Sequence, residues 1–181
     1  MLEEETRLSQ LSVLITKEEI EKRVTELAAE IRGDYLGKNP LLVGVLKGSF
    51  VFMSDLIRKL NMPLEIDFVR LSSYGRGKES SGEIRLLNGI KVALKGKHVL
   101  LVEDIVDTGF TVSYLLGYLG KKKPSTLKLC ALFNKPSRRV IDVPIDYVGF
   151  KVPNTFVVGY GLDYTEKFRH LPDLCIVEGP Q

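Results

Sequence analysis

The chain is short of the features that mark several protein classes. It has two cysteines, Cys130 and Cys175, both in apolar stretches (LKLCALF and DLCIVEG) that read as buried strands. They are expected as small core residues in a reducing compartment, without a disulfide. Its two histidines, His98 and His170, lack ligand spacing, so no zinc site is expected and both read as structural or solvated. No apolar run is long enough to cross a bilayer. The opening MLEEETRLSQL is acidic and lacks the basic, then apolar, then small-residue order of a secretory signal. A cytoplasmic location and no membrane partner are therefore expected. Excess charge is missing too: the net charge is +3. The basic clusters at Lys121 to Lys123 and Arg138-Arg139 have no aromatic interleaving and read as solvated faces, so no nucleic acid is expected. There is no internal repeat, low-complexity tract or dividing linker.

What is present is an ordinary globular composition, 44% hydrophobic and 27% charged, in 181 residues. That length suits one domain with its own core. Thr16 and Glu19 form a capping box, and Ile20, Val24, Leu27, Ala28 and Ile31 recur at helical spacing until Gly33 and Gly37. After Asn39-Pro40, LLVGVL reads as a buried strand and SFVFMSDLIRKL as a helix that stops before Pro63. LEIDFVRLSSY alternates as a strand and enters GRGKESSG, a polar, glycine-rich stretch read as a mobile loop. HVLLVEDIV is the next strand, TVSYLLGYLGKK a helix and TLKLCALFNK a strand, with IDYVGF and TFVVGYG as shorter candidates. Strands alternating with helices predict an α/β fold, a mostly parallel sheet covered on both faces. From about Lys135 the pattern is less regular and suits a small cap above the sheet.

One stretch, VLLVEDIVDTGFT at Val99 to Thr111, passes from buried strand to polar turn within a few residues. In open parallel sheets, ligands bind beyond the carboxyl ends of the strands, so Glu103 and Asp104 face a crevice. Adjacent carboxylates are costly to bury alone and call for solvent, a cation or ligand hydroxyls. Behind them Gly109 permits a tight turn. The next helix then begins with free N–H groups flanked by Thr108 and Thr111, an anion site. Carboxylates for hydroxyls beside amides for an anion describe a ribose 5-phosphate. A nucleotide P-loop is the competing reading, but it places lysine after its last glycine, where this chain has Phe110.

VLLVEDIVDTGFT resembles the phosphoribosyl-pyrophosphate signature of the type I phosphoribosyltransferases. LKGSF, SSYG, FNKPSRR and DYVGFKVPNTFVVGYGLDYTEKFRHLP extend the resemblance to the hypoxanthine-guanine phosphoribosyltransferases, from about Ser12 to Val177. The resemblance implies the type I fold in a single domain, residues 1–181. Its core spans about 38–150, and a hood from about 1–15 and 150–181 lies over the base site. It implies a purine salvage transferase that converts phosphoribosyl pyrophosphate and a 6-oxopurine, hypoxanthine or guanine, to IMP or GMP and pyrophosphate. Magnesium (Mg2+) is the implied cofactor, and a homodimer or homotetramer the implied assembly.

Residue by residue, the resemblance implies that Glu103 and Asp104 bind the ribose hydroxyls, partly through magnesium, and that Asp107 is the general base near N7 of the purine. Asp107, Thr108, Gly109, Phe110 and Thr111 would hold the 5-phosphate; Phe110 departs from relatives that have lysine there. Lys135 would donate to the oxygen at C6, with Phe156 stacking on the base and Val157 offering backbone groups to its edge. Asp163 would ligate a second magnesium beside the base site. Lys47, Gly48 and Arg169 would meet pyrophosphate, in a loop whose Leu46-Lys47 peptide is often cis in the family. Ser73 and Tyr74 would form a lid. Two alternatives stay open: a non-enzymatic sensor of phosphoribosyl pyrophosphate, and an enzyme of this fold preferring another acceptor, such as xanthine. A donor at Lys135 argues against adenine, whose 6-amino group is itself a donor.

Overall fold

A computed structural model describes residues 11–73 and 84–178. In chain order the elements are β1 (Leu11–Ile15), α1 (Lys17–Tyr35), β2 (Leu41–Leu46), α2 (Phe50–Leu60), β3 (Glu65–Ser73), β4 (Ile84–Asn88) and β5 (His98–Val106). There follow α3 (Phe110–Gly120), β6 (Thr126–Asn134), a 3-10 turn (Pro136–Arg138), β7 (Tyr147–Lys151), β8 (Val157–Val158) and β9 (Leu174–Val177).

The main sheet has the order β4-β3-β2-β5-β6-β7. Its pairings are parallel except for β4, which runs antiparallel along β3. Because successive side chains of a strand point to opposite faces, each central strand supplies two cores. Leu42, Leu100, Val102, Cys130 and Leu132 pack under α1 and α2. Leu41, Val43, Leu101, Leu129 and Ala131 pack with Val112, Leu115 and Leu119 of α3 on the other side. Burial on both faces explains why LLVGVL and HVLLV are continuously apolar.

The capping box predicted for α1 is present: Glu19 N–H donates to Thr16 Oγ1 at 3.3 Å, and Thr16 N–H to Glu19 Oε2 at 2.8 Å. The helix does not stop at Gly33 but continues to Tyr35, whose buried ring still belongs to the apolar stripe; Gly37, with φ +77°, lies beyond the end. α2 ends at Asn61 in the left-handed region, just before Pro63.

β1, β9 and β8 form a separate three-stranded antiparallel sheet, which joins segments from both ends of the chain. Its residues Ile15, Val157 and Leu174 merge into the core beneath α1 and α2. Two strands, β1 and β4, had no sequence reading as strands; each is five residues long and lies at a sheet edge. TFVVGYG forms only a two-residue strand, because the chain turns at once through Gly159 (φ +98°), Tyr160 (φ +48°) and Gly161 (φ +97°). Cys130 and Cys175 are free and buried, as expected. No helix among the described residues is long and apolar enough to cross a membrane.

Candidate active site

The carboxyl ends of β2, β5 and β6 carry Lys47, Gly48, Glu103, Asp104, the loop from Asp107 to Thr111, and Lys135. β5 outruns its pairing with β2, which ends at Gly44 opposite Val102, so Glu103 and Asp104 emerge beside the turn that follows β2. The Leu46-Lys47 peptide in that turn is cis, as the resemblance implies. Gly48 is pressed against Asp104: a Cβ there would lie 1.6 Å from Asp104 Oδ2. Only glycine fits this contact.

Glu103 and Asp104 are each 7% exposed, and Glu103 Oε2 is buried with no hydrogen-bond partner. Burial pushes the Glu103 carboxyl well above its usual range, and the Asp104 charge adds to this. Burial also raises Asp104, to about 6; backbone hydrogen bonds and the nearby Arg169 act in the opposite direction. An orphaned carboxylate oxygen beside a second carboxylate is a deficit that a cation would fill.

The loop behind β5 is held from outside. Gly109, at φ +91°, is the N-cap of α3 and offers no side-chain cap; a Cβ there would meet the Ile141 carbonyl oxygen at 2.2 Å. The first bond back to the cap runs from Ser113 N–H to the Gly109 carbonyl. The amides of Phe110, Thr111 and Val112 thus occupy the unsatisfied first turn. The Thr108 carbonyl accepts from the N–H groups of Val140 and Ile141 at 2.9 and 3.0 Å. Arg139 Nε donates to the Asp107 carbonyl at 3.0 Å, and its Nη2 to Asn134 Oδ1 at 2.5 Å. Arg138 Nε lies 3.2 Å from Asp107 Oδ1, an ion pair without hydrogen-bond geometry.

These contacts correct the expectation that Arg138-Arg139 is merely a solvated face. Five guanidinium and backbone contacts from this segment reach the loop at Val106–Thr108, counting the longer Arg139 Nη2 bond to the Val106 carbonyl, but excluding Asn134. A pair of arginines after a proline turn carries no sequence signal that separates a backbone clamp from a surface. Lys121 and Lys123 are exposed, as read.

Lys135 is no surface lysine: it is 5% exposed, and its Nζ donates to the Thr155 carbonyl at 2.7 Å. Burial lowers its pKa, with the Asp107 charge opposing and Arg138 reinforcing that shift. Phe156 is 39% exposed, although the next residue, Val157, is buried. Its ring stands nearly perpendicular to that of Tyr164, at 5.4 Å between centroids.

Asp163 and Arg169 form an ion pair at 2.7 Å. Asp163 Oδ2 also accepts from the Glu166 N–H, and Arg169 Nη1 donates to the Gly161 carbonyl. Gly161 in turn packs on Gly48, whose carbonyl oxygen would be 2.2 Å from a Cβ at position 161. The hood and the turn after β2 are therefore in contact. Tyr160 and Glu166 were not recognised in the sequence; a tyrosine between glycines and a glutamate in a polar turn had no distinguishing pattern. Ser73 ends β3, while Tyr74 and GRGKESSG lie outside the described residues. His98 is structural: Nδ1 is 3.0 Å from Thr126 Oγ1, and its ring stands edge-on to Tyr35. His170 is exposed.

A phosphoribosyl transferase domain model matches residues 13–165. The hypoxanthine-guanine phosphoribosyltransferase of Bacillus subtilis is 45% identical over 166 residues, which cover 92% of this chain and 92% of that protein. The bifunctional protein TilS/HprT of Listeria monocytogenes is 46% identical over 166 residues; they are 92% of this chain but only 26% of that protein. The chain thus spans about a quarter of the length of the bifunctional relatives. The crystal structure of a hypoxanthine-guanine phosphoribosyltransferase from Bacillus anthracis superposes with a TM-score of 0.88 at 44% identity. It covers 92% of this chain and 98% of that one. The chain belongs to the phosphoribosyltransferase family. Within that family it is similar to the hypoxanthine-guanine phosphoribosyltransferases along nearly its whole length.

Proposed function

We propose that the protein transfers the 5-phosphoribosyl group of phosphoribosyl pyrophosphate to hypoxanthine or guanine. The products are IMP or GMP and pyrophosphate. One observation carries the reading: the buried ammonium of Lys135, bonded to the Thr155 carbonyl beside the exposed Phe156, stands at the same end of the sheet as the paired carboxylates and the uncapped start of α3. Lys135 suits an acceptor oxygen at C6, Phe156 the flat face of the base, and the backbone at Val157 its edge. The amides and hydroxyls from Asp107 to Thr111 suit the 5-phosphate; since the contact is mainly to backbone, Phe110 fits where relatives carry lysine.

In the transfer, the bond from C1 of the ribose to pyrophosphate breaks and a bond to a ring nitrogen of the base forms. Asp107 takes the proton that the base gives up, and Lys47, Gly48 and Arg169 receive the departing pyrophosphate. Ser73 and Tyr74 act as the lid that excludes water. Magnesium fits the orphaned Glu103 oxygen beside Asp104. When bound, the ion supplies charge neutralisation for the pyrophosphate. Asp163, proposed for a second ion, already meets Arg169 with one oxygen and the Glu166 amide with the other. A cytoplasmic homodimer or homotetramer is part of the same reading, and rests on the resemblance.

The test offers the purified protein phosphoribosyl pyrophosphate with hypoxanthine, guanine, xanthine or adenine, with and without magnesium. Magnesium-dependent turnover of hypoxanthine or guanine is expected, with adenine excluded. Asp107→Asn should retain phosphoribosyl pyrophosphate binding and lose roughly two to four orders of magnitude in turnover. Tight binding without turnover of any base would establish a sensor instead, and a preference for xanthine would redefine the acceptor.

A further inference from the structure

The two long cations assigned to pyrophosphate already hold an anion supplied by the chain itself. Lys47 Nζ donates to Glu166 Oε2 at 2.7 Å, and Arg169 Nη2 lies 3.5 Å from the same oxygen. Lys47 follows β2 and Arg169 belongs to the hood, so one carboxylate oxygen bridges cations from two parts of the fold. Glu166 is aimed there by its backbone. It has φ +65°, next to Thr165 at φ +51°, and its N–H is tied to Asp163 Oδ2 at 2.8 Å. Non-glycine residues rarely adopt that conformation, and two in succession define a turn with little freedom of direction.

We propose that Glu166 is an internal stand-in for pyrophosphate. It neutralises Lys47 and Arg169 while the subsite is empty, and swings away when the diphosphate of the substrate arrives. The inference rests on the function proposed above and adds a residue that sets affinity for that reaction. Its physical logic is competition. Without Glu166, two cations would face a common space and repel; with it, an incoming diphosphate must first displace a carboxylate. The Glu166 side chain is 66% exposed, and exposed ion pairs are individually weak, so the exchange is reversible. Arg169 also bonds Asp163 and the Gly161 carbonyl, so its guanidinium is held independently of Glu166. Glu166 therefore lowers the affinity for both phosphoribosyl pyrophosphate and released pyrophosphate, and speeds the departure of the latter.

The test uses Glu166→Gln, which keeps the size and backbone preference but removes the charge, and Glu166→Ala. Pyrophosphate binding in magnesium is measured by titration calorimetry, and the KM for each substrate by the spectrophotometric assay. Both variants should bind pyrophosphate roughly three- to tenfold more tightly than the unaltered protein. The KM for phosphoribosyl pyrophosphate should fall in parallel, and that for hypoxanthine should not move. A merely structural role would not produce that split. Unchanged or weaker pyrophosphate binding in both variants, or no pyrophosphate binding by any form of the protein, overturns the inference. If the unaltered protein binds pyrophosphate but turns over no base, the functional reading fails while the variant affinities still decide the role of Glu166.

Discussion

Glu103 and Asp104 are costly side chains to hold where they are: two adjacent carboxyls, both buried, with one oxygen orphaned. The consequence is a stability that depends on protons. Asp104 is raised from 3.8 to about 6, so the folded protein binds a proton that the unfolded chain does not in that interval. A carboxyl raised on folding contributes its full stabilisation below its unfolded value, and loses it as pH rises through the folded one. Glu103 shifts in the same direction. The melting temperature of the ligand-free protein should therefore rise as pH is lowered from about 7.5 to about 5.5, and the slope should flatten in Glu103→Gln/Asp104→Asn. An equal slope in the double variant would place the proton uptake elsewhere.

α3 shows how one element meets two demands. Its first residue follows a glycine locked at φ +91° against the Ile141 carbonyl, whereas a Cβ added at Gly117, within the helix, would meet nothing within 4 Å. The same substitution should therefore have opposite signs at these two positions. Gly109→Ala should destabilise by about 2 kcal/mol, because it adds left-handed strain to a backbone clash, and should weaken phosphoribosyl pyrophosphate binding. Gly117→Ala should stabilise by about 0.5–1 kcal/mol through helix propensity alone. Urea denaturation of the two variants checks both, and a loss at Gly117 as large as at Gly109 would show that the loop is not the special position. β5 likewise acts through its length: by continuing past Gly44 of β2 it carries its carboxylates beside the turn that follows β2.

At the scale of the whole molecule, polar contacts fasten the hood to the main sheet and its helices, at Lys135–Thr155 and Lys47–Glu166 and at two further points. Tyr160 Oη donates to Asp55 Oδ2 at 2.5 Å, linking the turn before Gly161 to α2. Asp173 Oδ1 accepts from the Lys17 N–H at the start of α1. Tyr160→Phe should lower stability by about 1–2 kcal/mol in urea titration, since it removes a hydrogen bond to a charged, partly buried acceptor. An unchanged midpoint would assign the docking to apolar packing by Ile15, Val157 and Leu174. The main sheet was legible in the sequence because its strands are buried on both faces and its helices on one: LLVGVL and HVLLV must be apolar throughout, and Ile20 to Ile31 must repeat at helical spacing. The edge strands β1 and β4 were not, since a short strand with one neighbour needs little apolar content. By itself the sequence determined the alternating α/β order, the capping box at Thr16, and the passage from buried strand to glycine turn at Val99 to Thr111. These follow from local periodicity and from the chemistry of adjacent residues. Only the tertiary structure decided that Arg139 clamps the loop, that Gly48 packs on Asp104, and that Glu166 reaches Lys47. Those contacts join residues 32, 56 and 119 positions apart, and no local pattern encodes which distant partner a side chain will meet.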